Sequence, residues 1–234
     1  MRAHIVHAHP EENSFTAAMR DTAAEELRAM GHEVTISDLY AMKFNPVLSR
    51  DDFTELRRPE HLAYTAEQRN AWYKGHLAPD IKAEADLTLA ADLLVLTFPV
   101  YWFGMPAIMK GWVDRIFLSG PFYTGAAQYG AAGMKGKRAL VAASLGGREH
   151  MFGPRGLHGE LTTGMLRHLL WGSLGVVGYD VVEPYFAFHA PFVDAAERQA
   201  MLDRLRGHVR QVENLPVLPM PNLANFDEKF VPKA

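Results

Sequence analysis

Residues 98–117, FPVYWFGMPAIMKGWVDRIF, set three large aromatics in a row, Tyr101, Trp102 and Phe103, between an apolar run and a helix-like run. Such a joint can wall a flat ring with its side chains and offer backbone amides to the ring's edge, with Gly104 permitting close approach. The competing reading is a set of core aromatics at a tight turn. Residues 9–16, HPEENSFT, follow a strand-like run and open a helix-like one. Backbone N–H groups there suit a phosphate, and Ser14 and Thr16 add hydroxyls. An ordinary Ser/Asn cap explains the same residues. Residues 144–147, SLGG, bring backbone close to a ligand or simply turn the chain. His158, in RGLHGE, has the chemistry to move a proton or balance developing negative charge.

Other chemistries are excluded. Of His4, His7 and His9, only His7 and His9 share a strand face, and no third ligand stands nearby, so no metal is expected. The chain has no cysteine, which removes thiolate catalysis, disulfides and Cys-based zinc sites. No G-x-G-x-x-G marks a separate dinucleotide-binding domain. GAAGMKGKR has the wrong Gly and Lys spacing for a phosphate loop, with Arg138 where Ser or Thr is required.

The elements that must position these residues follow from periodicity. AHIVHAH reads as a first strand. A helix follows, with Phe15, Met19, Ala23, Leu27 and Met30 on one face and Gly31 as its stop, and then the strand HEVTISDLY. Residues 40–82 form an irregular excursion, with one helix near 66–74. A helix in IKAEADLTLAADL leads to the apolar strand at 93–98. The helix MPAIMKGWVDRIF buries Ile108, Met109, Trp112, Val113 and Ile116. The strand KRALVAAS, a helix through LTTGMLRHLLWGSLG, the strand YDVVEPYFAF and a helix through VDAAERQAMLDRLRGHVRQV complete the pattern. The expected fold is α/β: a three-layer sandwich around a five-stranded parallel sheet. Ligands of such sheets bind beyond the carboxyl ends of the strands, where residues 9–16, 99–104 and 144–147 converge.

With 234 residues, 48% hydrophobic and 22% charged, the chain suits one sizeable domain. We assign it residues 1–212, with a proline-rich tail at 213–234 lying on the body or on a partner. A net charge of −3 gives no basic surplus for nucleic acid. No apolar run is long enough for a membrane span, and the N-terminus lacks a signal-peptide pattern, so a cytoplasmic setting is expected.

HAHPEENSFTAAM, SDLYAMKFNPVLSRDDF, KGHLAPDI, FPVYWFGMPAIMKGWVDRIF and GGREHMFGPRGLHG, in this order, resemble the NAD(P)H:quinone oxidoreductases of the DT-diaphorase type, from the N-terminus to about residue 200. The resemblance implies a flavodoxin-like fold with strand order 2-1-3-4-5. It implies a bound flavin, FAD rather than FMN, with NAD(P)H as co-substrate and a quinone or other aromatic acceptor. It also implies a homodimer with sites at the interface. His9, Ser14, Phe15 and Thr16 would hold the pyrophosphate and ribityl part. Pro99, Val100, Tyr101, Trp102 and Phe103 would flank the ring, and Ser144, Leu145, Gly146 and Gly147 would approach its other edge. Arg198 matches an arginine near the adenine end. Trp102, Phe103, Met151 and His158 would line the substrate pocket, with Tyr123 entering from the partner subunit.

Four departures stand out. Phe152 replaces the tyrosine of the family's active-site Tyr–His pair, so at the catalytic positions Phe152 and His158 no hydroxyl relay exists. Gly125 replaces a second pocket tyrosine, opening one wall. Thr16 stands where the mammalian enzymes carry Asn, and Ala63 stands near a cofactor-contacting Gln. The wider group includes smaller flavodoxin-like reductases and ancillary subunits of potassium efflux systems; the alternative readings are such a regulatory subunit, or an enzyme that uses FMN or reduces azo or nitro compounds.

Overall fold

The computed structural model describes residues 1–233. Strand β1, Arg2–His7, is buried from its second residue onward. Ser14 caps helix α1, Phe15–Ala29, its Oγ accepting the Ala17 N–H at 3.1 Å. Met19, Ala23 and Leu27 are fully buried, while Phe15 and Met30 at the ends are half-buried. The helix stops where Gly31 takes a φ of 83° and the His32 N–H reaches back to the Leu27 carbonyl at 3.0 Å. The chain continues through β2 (Glu33–Asp38), α2 (Tyr64–Lys74), α3 (Pro79–Ala90), β3 (Leu93–Pro99), α4 (Ala107–Ile116) and β4 (Arg138–Ser144). Helix α5 (Arg167–Leu169) is flanked by wider π turns at Leu161–Met165 and Leu170–Gly175. Short strands β5 (Asp180–Val181) and β6 (Tyr185–Ala187) precede α6 (Ala195–Arg210).

All strand pairings are parallel, in the order β2-β1-β3-β4. The single fifth strand expected over YDVVEPYFAF is instead two pieces. Asp180 pairs with Arg138 and Tyr185 with Ala142, so β5 and β6 share the outer edge of β4 and the sheet has six strands. Pro184 has no N–H for a ladder, and the Glu183 N–H goes to the Pro216 carbonyl at 2.8 Å. The proline-rich segment bridges this edge: Val217 lies opposite Val182, and the Leu218 N–H donates to Val181 at 2.8 Å. Trp171 Nε1 donates to the Pro219 carbonyl at 2.8 Å.

Every residue of β3 is buried, as a strand covered on both faces requires. One layer packs Leu94, Leu96 and Phe98 against Met109, Trp112 and Ile116 of α4. The other packs Ile5, Val95 and Leu140 against Met19 and Leu27 of α1 and Leu205 of α6.

The 40–82 excursion is pinned to α4 by a buried guanidinium. Arg115, 3% exposed, donates to Asp52 Oδ1 at 2.8 and 3.0 Å, to Asp80 at 3.0 Å and to the Asn45 carbonyl at 2.8 Å. Tyr64 donates to the other Asp52 oxygen. Removing one partner of such a buried pair costs about 3–5 kcal/mol.

Candidate active site

A cavity of about 660 Å³ opens beyond the carboxyl ends of β1, β3 and β4. His9, Ser14, Phe15 and Thr16 line it from the first loop, Pro99, Val100 and Tyr101 from the third strand, and Ser144, Leu145 and Gly146 from the fourth. Its size is that of a cofactor site, within the roughly 300–1,000 Å³ range of such pockets.

The first loop is built to donate. Ser14 Oγ is occupied by the Ala17 N–H, while the N–H groups of Phe15 and Thr16 have no partner among the described residues. These orphan donors sit at the positive end of α1, a site for an anion. His9 Nδ1 meets the Glu11 backbone twice, its N–H at 3.0 Å and its carbonyl at 3.2 Å, which holds the ring at the mouth of the loop. The floor is closed by the hydroxyls of Thr16 and Ser144, 2.8 Å apart and buried, which tie α1 to β4. Arg198, on the first turns of α6, lines the far end with Gln199 and Leu202. Its guanidinium has no ion pair among the described residues.

The aromatic turn differs in form from the sequence expectation. Tyr101 and Gly104 exchange two backbone hydrogen bonds of 3.0 Å each, and between them Trp102 and Phe103 both have positive φ, 49° and 61°. This is a two-residue hairpin turn whose central positions favour Asn and Gly, occupied here by two large aromatics. Each left-handed residue costs about 1–2 kcal/mol. Gly104 is not where glycine is needed: an added Cβ would lie 3.8 Å from His168. Trp102 is 98% exposed, Tyr101 47% and Phe103 42%, so the three are not core aromatics. Trp102 and Phe103 stand outside the cavity wall rather than in it.

A row of rings runs behind the turn. Phe103 lies 5.0 Å from His158 (ring centroids), His158 5.5 Å from Phe152, and Phe152 5.7 Å from Phe188. The edge of the Phe152 ring packs so closely on Gly147 that an added Cβ there would sit 2.8 Å from Cε2. The α-carbon side of Gly147 is therefore occupied by Phe152. Met151 shares the loop with these rings, its carbonyl accepting the His158 N–H at 2.8 Å. Tyr123 lies in a separate groove of about 410 Å³ with Leu48, Tyr64 and Phe117. Burial raises its hydroxyl pKa. Gly125 is exposed with open space around it.

The N-terminal histidines are structural. His4 Nε2 meets Ser37 Oγ at 2.9 Å and His7 Nδ1 meets Thr97 Oγ1 at 2.8 Å. Burial lowers each from 6.5 to about 4, with Arg20 adding to the effect at His7. A fourth segment of the wall escapes the sequence reading: Ala190 and Pro191, in the loop after β6. The rule that ligands sit beyond strand ends applies to that strand too, and His189-Ala190-Pro191 was the signal.

The flavodoxin-like fold family matches residues 1–209. The chain is 41% identical to rat NAD(P)H dehydrogenase [quinone] 1 over 98% of its own length and 84% of the relative's, and 42% identical to the guinea-pig (Cavia porcellus) protein of the same name over 81% and 70%. The crystal structure of a candidate quinone reductase from Klebsiella pneumoniae superposes with a TM-score of 0.91 at 29% identity, covering 97% of this chain and 91% of that one. The chain belongs to the NAD(P)H:quinone oxidoreductase family of flavodoxin-like proteins and is an oxidoreductase.

Proposed function

We propose that this enzyme holds FAD in the cavity and uses it to carry two electrons from NAD(P)H to a quinone. The observation that carries the reading is the convergence of three strand ends on one cavity, with unpaired donors at one end and a strained, exposed aromatic turn at the other. The donor set fits the cofactor: the Phe15 and Thr16 N–H groups, His9 and Ser14 suit the phosphates, and Arg198 suits the phosphate on the adenosine side. Extension of the cavity to Arg198, Gln199 and Leu202 favours FAD over FMN. Pro99, Val100 and Tyr101 flank one edge of the ring, and residues 144–147 approach the other. A bound flavin supplies N5 as the atom that takes up and releases hydride.

Trp102 and Phe103 present flat faces where nicotinamide and quinone stack in turn. Phe152 has no hydroxyl, so the proton for the quinone oxygen comes from His158 or from water. Tyr123, Gly125 and the exposed turn are completed by a second copy of the chain, making a homodimer with residues 1–212 as its catalytic unit. Among the described residues no helix is long and apolar enough to cross a membrane. We assign the enzyme to the cytoplasm.

One shared position for both substrates requires ping-pong kinetics. Double-reciprocal plots against NAD(P)H at several benzoquinone concentrations should give parallel lines, and intersecting lines would refute the shared position.

A further inference from the structure

His189 stands in the left-handed region, φ 59° and ψ 20°, outside any strand, immediately after the edge of the sheet. A β-carbon residue there carries a conformational cost, and its contacts show what the cost is set against. Its backbone N–H donates to the Gly147 carbonyl at 2.9 Å. Its side-chain Nδ1 lies 2.9 Å from the Gly146 carbonyl. A carbonyl only accepts, so the proton is on Nδ1 and the tautomer is fixed. Neighbouring bonds complete the clasp: Leu145 N–H to Ala187 at 3.0 Å and Ala190 N–H to Leu145 at 3.2 Å. The His189 ring lies 4.9 Å from that of Phe192, whose edge comes within 3.4 Å of where a Gly146 Cβ would be.

The consequence lies in the Gly146–Gly147 peptide. A trans peptide carries its C=O and N–H on opposite sides. Anchoring the Gly146 carbonyl on His189 therefore turns the Gly147 N–H away from His189, and that N–H has no partner among the described residues. A hydrogen bond accepted at the carbonyl also polarises the peptide and strengthens its N–H as a donor. We infer that His189 is a positioning residue: it aims and polarises the Gly147 N–H toward the electron-rich edge of the bound ring, without touching the ring itself. This rests on the flavin reading above.

The test separates side-chain bond from backbone strain. Apo-protein is titrated with FAD, following quenching of flavin fluorescence, for the native chain, His189→Gly and His189→Asn. Glycine keeps the left-handed backbone and its N–H but loses the Nδ1–H donor. Asparagine tolerates the same conformation and offers an amide donor. His189→Gly should bind FAD about tenfold more weakly, the equivalent of one lost hydrogen bond, with its Tm not lowered. His189→Asn should stay within about threefold of native. Native affinity in His189→Gly, or equal weakening in both variants, would overturn the role. Native protein that binds no flavin would instead overturn the flavin reading, so the two failures are distinct.

Discussion

Among the described residues no carboxylate neutralises Arg198 where it lines the cavity, in contrast to Arg204, Arg206 and Arg210 further along α6, which are paired with Glu197, Asp203 and Glu26. A charged hydrogen bond to a phosphate is worth about 1.5–3 kcal/mol. Arg198→Ala should therefore weaken FAD binding roughly ten- to hundredfold, measured by titrating apo-protein, while its thermal unfolding without flavin stays native. Residues of this kind were legible because their position in a motif is local: Ser14 before a helical stripe, Arg198 in the first turns of α6, His9 at a strand end. His189 was not, because its task is to reach two carbonyls 42 and 43 positions earlier in the chain, a contact that only the fold creates. Phe152 was legible as a lost hydroxyl but not as a packing strut, since its contact with Gly147 depends on how the 148–159 loop folds back.

At the scale of elements, helix faces and buried strands followed from apolar spacing, and α1, α4 and β3 appear where periodicity placed them. The edge strand did not, although Pro184 carried the physical reason: a residue with no N–H interrupts the ladder. The turn at residues 101–104 is the instructive element. Periodicity located it, but two left-handed aromatics run against the usual preference for Asn-Gly, and no sequence rule assigns them there. Strain of this sort persists where surrounding structure holds it and function uses it. Replacing Trp102 with Gly removes about 1–2 kcal/mol of strain, offset in part by about 0.5–1 kcal/mol of added chain entropy. Trp102→Gly should therefore unfold at a urea midpoint no lower than native, while its KM for benzoquinone rises about tenfold through loss of the stacking face. A lower midpoint with unchanged KM would show the indole to be a structural prop.

At the scale of the whole molecule, the sheet is built over two buried neutral imidazoles. Burial lowers His4 and His7 from 6.5 to about 4. The unfolded chain binds these protons below pH 6.5 and the folded chain does not, so stability is intact above 6.5 and falls as pH drops toward 4. Each group accounts for up to about 3 kcal/mol of that loss. Urea midpoints should decline from pH 7 to pH 4.5, and His4→Gln, which keeps a donor for Ser37, should flatten the decline by about half. A pH-independent midpoint across that window would contradict the assignment. The proline-rich segment belongs to the same scale: Val217 and Leu218 anchor it on the edge strand beside Val181 and Val182, and the Pro219 carbonyl on Trp171.

The central claim is that the cavity bounded by His9, residues 14–16, residues 99–101, residues 144–146 and Arg198 holds a flavin. It is tested most directly by purifying the protein, denaturing it and identifying the released chromophore by chromatography against FAD and FMN standards. FAD at about one equivalent per chain is the predicted result. A colourless protein that takes up neither flavin on reconstitution would contradict the account.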